Sequence, residues 1–104
     1  MGAVRLGPAG EALGIAEGVE TALSAMELSG ITCWASLGAQ RLPRLWLPEA
    51  VRTVYIFADA DEPGRKAARQ AAERYEREGR RVLIRRPASG FGDWNDVLQA
   101  EVCA

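Results

Sequence analysis

Short apolar runs alternate with segments of helical periodicity along this 104-residue chain. An apolar run at 13–16 predicts a buried strand. The following segment, 20–29, has apolar residues at helical spacing and ends at Gly30, a typical C-terminal stop for a helix. Further apolar runs at 31–35 and 53–58 predict two more strands. The order strand, helix, strand indicates a parallel sheet with crossover helices.

The run 53–58 is the clearest strand, because it is rich in β-branched and aromatic residues. After it, Pro63 and Gly64 open a second helix, which has a stripe of alanines at helical spacing and ends at Gly79. Weaker signals predict the remaining elements: an edge strand over 4–6, a turn over 36–40, a short helical piece over 42–47, a strand over 81–86, and a last helix capped by Asp93 that includes Val97, Leu98 and Val102.

Length and composition indicate one domain over 1–104, since 48% of the residues are apolar and the chain is of ordinary domain size. The opening segment mixes Arg5 with glycine and proline, so it does not resemble a signal peptide. No apolar run approaches the ~20 residues that a membrane span requires. We therefore expect a cytoplasmic protein that has no membrane partner.

The chain contains no histidine. This excludes catalytic triads that use histidine, histidine-ligated metal sites and histidine acid/base catalysis. The two cysteines, Cys33 in a predicted strand and Cys103 near the C-terminus, have the spacing of neither a disulfide framework nor a zinc site, and we expect them to be packing and tail residues. Any chemistry must rest on carboxylates, arginines or hydroxyls.

Three carboxylates follow predicted strands. Glu17 comes directly after the first strand, and Asp59 and Asp61 follow the third. Ligands of parallel α/β sheets bind outside the carboxyl ends of the strands, so the three side chains are expected at one edge of the sheet. If the strand continues through Asp61, the two aspartates point the same way and can share a cation. Alternatively, they belong to an ordinary turn and helix start, where aspartate is favoured.

Two other features have two interpretations each. Nine of the thirteen basic residues lie within 65–86, where they can face phosphate groups or, alternating with glutamates, solvate a helix surface. Trp34, Trp46 and Trp94 can stack on bases, but each lies among apolar neighbours, which favours packing in the core or in an interface.

Three stretches of the chain together resemble the Toprim family. They are Glu17-Gly18 after an apolar strand, the aspartate-containing segment 57–68, and the segment 93–98. They occur in the expected order and cover most of the chain. The aspartate segment, with its following glycine and paired alanines, and the turn at 35–38 are particularly similar to the primase branch, while the segment 17–23 resembles primase-helicases of phages, plasmids and integrated elements.

The resemblance implies a Rossmann-like α/β Toprim fold, with a mainly parallel sheet of about four strands and helices on both faces. It further implies that Glu17 is a general acid/base and that Asp59 and Asp61 bind Mg²⁺, or Mn²⁺ in its place, with Glu17 as an additional ligand candidate. It also adds further candidate site residues: Gly18, Glu20, Gly38, Gly64, Arg65, Lys66, Asp93 and Asp96.

The chain departs from the pattern of cellular primases at two positions. Thr21 and Asn95 stand where those primases often have further aspartates. Glu20 either replaces the first of them or merely starts a helix, where an acidic residue suits the first turn. Asp93 is either part of the late acidic motif of primases or an N-cap.

The resulting expectation is the catalytic Toprim domain of a DNA primase or primase-helicase, which performs magnesium-dependent nucleotidyl transfer in primer synthesis. Its partners would be DNA, nucleoside triphosphates and the other domains of a larger protein, because no zinc module or phosphate-binding loop occurs in the sequence. The alternatives are a metal-dependent nuclease or topoisomerase component, and a non-catalytic Toprim module that binds DNA or a partner. Neither Tyr55 nor Tyr75 is placed as a topoisomerase nucleophile would be.

Overall fold

The computed structural model describes residues 3–59 and 61–86. No helix within these residues is long and apolar enough to cross a membrane. The described elements, in chain order, are β1 (Val4–Arg5), β2 (Ala12–Ala16), α1 (Val19–Ser29), β3 (Cys33–Ala35), a 3₁₀ turn (Leu42–Arg44), β4 (Thr53–Phe57), α2 (Glu62–Arg77) and β5 (Arg81–Arg85).

The strands form one sheet in the order β1-β3-β2-β4-β5. β2 pairs in parallel with both β3 and β4, and β4 pairs in parallel with β5. Among the described strands, only the edge strand β1 is antiparallel, with Val4 opposite Ala35 and Arg5 opposite Trp34. The mainly parallel sheet is therefore confirmed. In the part of the chain that the structure describes, the expected count of about four strands becomes five, because the weak signal near the N-terminus forms a two-residue edge strand.

The helices cover opposite faces of the sheet, as predicted. In β2, Leu13 and Ile15 point to the face covered by α2, whereas Ala16 points to the face covered by α1, because successive strand residues alternate between faces. The α2 face has the larger core, which includes Tyr75 and the alanine stripe of α2. The α1 face has the smaller core, in which the small residues Ala16, Ala22, Ala25, Cys33 and Ala35 pack with Phe57. The core position of Cys33 is thus confirmed.

The tryptophans differ in burial. Trp34 is buried, and its Nε1 donates to the Gly7 carbonyl at 3.0 Å, so the packing prediction is confirmed for it. For Trp46, which is 58% exposed, the core alternative of that prediction is wrong, while packing in an interface stays a prediction. The predicted helical piece stops at Arg44, and the chain then continues in extended form. Side chains of extended residues alternate, so Leu45 and Leu47 are buried while Trp46 points outward.

The predicted last helix, its cap Asp93, and the candidates Trp94, Asp96 and Cys103 lie outside the described residues.

Candidate metal-binding cleft

Three strand ends meet at one edge of the sheet. β2 and β4 are parallel neighbours with Ala16 opposite Phe57, so the residues that follow them, Glu17 and Asp59, lie at the same edge. The loop after β3 reaches this edge as well, because the Ser36 amide donates to the Ala16 carbonyl at 2.8 Å. Together they form an open cleft of about 500 Å³. It is lined by Glu17, Gly18, Val19, Glu20, Thr21, Leu37, Gly38 and Asp59.

Asp61 reaches this edge from the start of α2. β4 ends at Phe57, so the condition that the strand continues through both aspartates is not met. Asp61 is the N-cap of α2, and its Oδ1 accepts a hydrogen bond from the Gly64 amide at 2.7 Å. The helix-start interpretation therefore applies to Asp61. An exposed capping carboxylate stabilises the positive end of the helix dipole and still remains at the mouth of the site.

Gly64 lies where the acidic groups come closest to the backbone. A Cβ atom at this buried position would lie 2.8 Å from Asp61 Oδ1, 3.1 Å from Glu17 Oε1 and 3.1 Å from the Asp59 carbonyl oxygen. Any side chain there would displace at least one of these oxygens. The glycine therefore lets oxygens from three separate residues converge, which gives a physical reason for its place among the site candidates.

Glu17 has an unusual electrostatic environment. Its Oε1 is buried and has no hydrogen-bond partner among the residues that the structure describes. Burial raises the pKa of the Glu17 carboxyl above its ordinary value, and the negative charges of Asp59 and Asp61 raise it further. Desolvation and like charges both disfavour the ionised form. The three carboxylates therefore act on one another electrostatically, although the chain separates them by as many as 44 residues, from 17 to 61.

The loop after β3 holds the backbone of Glu17. The Gly38 amide donates to the Glu17 carbonyl at 3.0 Å, and the Ser36 hydroxyl donates to the Gly38 carbonyl at 2.8 Å. Leu37 adopts a positive φ of 64°, which is rare for a residue with a side chain, and it is 53% exposed beside the cleft. The sequence predicted a turn here and a resemblance over 35–38, but neither indicated the backbone conformation of Leu37.

The other candidates divide into two groups. Gly18 is the N-cap of α1 and Glu20 lies exposed in its first turn, and both line the cleft. Arg65 instead bonds Glu62 at 3.2 Å on the surface of α2. Lys66 lines a separate cavity of about 190 Å³. Neither residue belongs to the lining of the cleft, and their roles in the site stay predictions.

Within residues 3–59 and 61–86, no three carboxylate, cysteine or histidine side chains lie close enough together to enclose a metal ion. The donors that meet in the cleft are nevertheless all oxygens. Mg²⁺ prefers oxygen ligands and is commonly held by one or two carboxylates, with water and phosphate oxygens completing its octahedron. The cleft therefore has the donor chemistry of a magnesium site and lacks that of a closed, all-protein cage.

Fold and site together define an α/β domain with an acidic cleft at the carboxyl edge of a mainly parallel sheet. Residues 12–103 match the family model described as Toprim domain, which covers most of the chain. This chain belongs to the Toprim domain family, and the predicted family is confirmed.

Two solved structures share this fold. One is a DNA primase domain from Pseudomonas aeruginosa, with a TM-score of 0.64 and 24% identity over 88% of this chain. The other is the primase fragment of the bacteriophage T7 primase-helicase protein, with a TM-score of 0.67 and 20% identity over 92% of this chain. The matches span 30% and 41% of those structures, respectively. The comparison with curated proteins found no match.

Proposed function

We propose that this chain is the catalytic domain of a DNA primase or primase-helicase and performs divalent-metal-dependent nucleotidyl transfer in primer synthesis. The observation that carries the proposal is the buried, unpartnered Glu17 Oε1 beside Asp59 and Asp61 in an open cleft. An unsatisfied buried oxygen costs about 1–3 kcal/mol, more when it is charged, and such groups are typical of functional sites.

Asp59 and Asp61 would hold the cation. Both precede α2, with Asp61 as its N-cap, and the capping hydrogen bond of Asp61 involves Oδ1 alone, so the same carboxylate has a second oxygen. A bound Mg²⁺ or Mn²⁺ would neutralise and orient the phosphates of a nucleoside triphosphate. The described residues that line the cleft include no basic side chain, which makes a cation the natural counterion for an anionic substrate there.

Glu17 would move the proton. It approaches the cleft from β2, whereas the aspartates follow β4, so it can face the reacting phosphate from another side. A carboxyl group at this position can accept or release a proton in the reaction. Gly18, behind it, has no side chain, and the free amides at the start of α1 favour a nearby phosphate.

Metal binding is the direct test, and it needs only the 104-residue chain. Calorimetric titration with Mn²⁺ should show binding that an Asp59→Asn, Asp61→Asn double variant loses. Paramagnetic broadening should be strongest at the amides of Gly18, Gly38 and Gly64. As a control, Glu27→Gln, Glu76→Gln removes two exposed carboxylates elsewhere and should leave the affinity unchanged. Undiminished binding by the aspartate variant would overturn the assignment.

We further propose that this domain works within a larger protein, which supplies the surfaces for template DNA. The chain spans less than half of either primase structure to which it is similar. In a gel assay with labelled nucleotides and a single-stranded template, the isolated chain should therefore make little or no primer. Robust primer synthesis would contradict the proposed division of labour, and template cleavage that requires Asp59 would favour the nuclease alternative.

A further inference from the structure

Thr21 makes a side-chain contact that crosses from one element of the site to another. It lies in the first turn of α1, is 8% exposed, and its Oγ1 donates to Asp59 Oδ1 at 3.3 Å. The two residues are 38 positions apart. The start of α1 is held in place by the hydrogen bond from the Ala22 amide to the Gly18 carbonyl at 3.0 Å. The hydroxyl is therefore presented to Asp59 by a fixed helical turn.

The direction of this bond is informative. A threonine hydroxyl within a helix commonly returns to a backbone carbonyl of its own helix one turn earlier. Here it points to a carboxylate after β4 instead. Threonine is also a weaker helix former than alanine, so the helix itself gains nothing from it. Such a contact can restrict the rotation of a short carboxylate side chain that follows a strand end.

We propose that Thr21 is a positioning residue that orients the Asp59 carboxylate for a divalent cation. This inference rests on the proposed function, because it requires Asp59 to bind the cation. A neutral hydroxyl can orient the carboxylate without adding a fourth negative charge to Glu17, Asp59 and Asp61. A carboxylate at position 21 would instead increase the repulsion that already raises the pKa of Glu17.

The length of the bond sets the expected size of the effect. Hydroxyl-to-oxygen hydrogen bonds are typically about 2.7–2.8 Å, so a contact of 3.3 Å is a weak one. Removing a group that orients a metal ligand typically lowers metal affinity about 10–100-fold. For Thr21 we expect the lower end, about tenfold.

The test compares Mn²⁺ affinity, measured by calorimetry, in three variants of the 104-residue chain. Thr21→Val keeps the shape and removes the hydroxyl, and it should weaken binding about tenfold. Thr21→Ser keeps the hydroxyl and should bind within about twofold of the parent chain, on the same argument. Thr53→Val makes the same replacement at the opposite end of β4 and should leave the affinity unchanged.

The outcomes separate this inference from the proposed function. If Thr21→Val binds as the parent chain does, while Asp59→Asn binds weakly, Thr21 has no positioning role and the proposed function stands. If Thr21→Ser fails to restore affinity, the hydroxyl is not the active group and the inference is likewise overturned. If the Asp59→Asn, Asp61→Asn double variant also binds normally, the proposed function itself fails. A purely structural role would change the thermal unfolding of the metal-free variants and leave their Mn²⁺ affinities equal.

Discussion

Two regions of this domain differ in whether their buried polar atoms have hydrogen-bond partners. Beneath α2, backbone carbonyls of the irregular segment 42–51 accept hydrogen bonds from side chains of α2 and of the turn after it. Tyr75 donates its hydroxyl to the carbonyls of Leu42 and Leu45, at 2.9 and 3.1 Å. Arg74 bonds the Pro43 carbonyl at 2.6 Å. Arg80 bonds three further carbonyls: those of Leu47, Pro48 and Val51.

In the acidic cleft at the carboxyl edge of the sheet, buried polar atoms are not all paired by hydrogen bonds in this way. There, Glu17 Oε1 is buried without a partner among the described residues, and its neighbours are two more carboxylates. Burial also raises the pKa of Tyr75, to about 12, but a neutral phenol that donates to carbonyls is at no disadvantage there. A carboxylate in the cleft is at a disadvantage, because burial and like charges both oppose its ionisation. Under the proposed function, the contrast separates groups that stabilise the fold from groups that would bind a ligand.

The largest expected effect is on turnover. In a primer-synthesising protein that contains this domain, Glu17→Gln should lower turnover by ~10²–10⁴-fold and leave metal affinity nearly unchanged, because a general acid/base acts on the proton and not on the cation. Turnover measured across a magnesium titration tests this. Full recovery at high magnesium would show instead that Glu17 is a metal ligand.

The next effect concerns the hydrogen bonds between α2 and the segment 42–51. Tyr75→Phe removes only a hydroxyl, but it leaves the Leu42 and Leu45 carbonyls without their buried donor. Unfolding in urea should show a loss of about 1–3 kcal/mol, with an unchanged slope. The matched control is Tyr55→Phe at the chain's half-buried other tyrosine, with an expected change within about 0.5 kcal/mol. If both variants lost the same free energy of unfolding, the hydrogen bonds from Tyr75 would not stabilise the fold, and the contrast with the acidic cleft would not hold.

The smallest effect is on the pH dependence of stability without metal. Because the folded-state pKa of Glu17 is raised, the folded chain binds more protons than the unfolded chain between the ordinary value of 4.5 and the raised one. The contribution of Glu17 to the free energy of unfolding therefore falls as pH rises through that window. Glu17→Gln removes this term, so the variant should gain stability relative to the parent chain as pH rises.

Thermal unfolding in EDTA at pH 4.5 to 8 measures this difference. Glu20→Gln, an exposed acid in the same cleft, controls for the loss of one negative charge. A Glu17→Gln variant that is less stable than the parent chain at neutral pH would contradict the assigned environment. The metal-free condition matters, because a bound cation would lower the pKa of Glu17 and reverse the comparison.

The sequence alone determined the order of the elements, the mainly parallel sheet and the placement of Glu17 and Asp59 at the same sheet edge. These follow from local periodicity and from the rule that parallel strands end together. The ends of strands and helices were harder to predict from sequence where two local preferences compete. Asp61 suits both an extended chain and a helix cap. It forms the cap, because its Oδ1 accepts a hydrogen bond from the Gly64 amide.

Only the tertiary structure decided which side chains meet. Gly64 lies against oxygens of three residues, Thr21 donates to Asp59 across 38 positions, and Leu37 adopts its rare backbone conformation beside the cleft. Arg65, in contrast, pairs with Glu62, and Lys66 lines a separate cavity, although both follow the aspartates closely in sequence. The physical reason is that periodicity assigns a residue to a face of its own element, whereas distances between elements depend on how the sheet and helices pack.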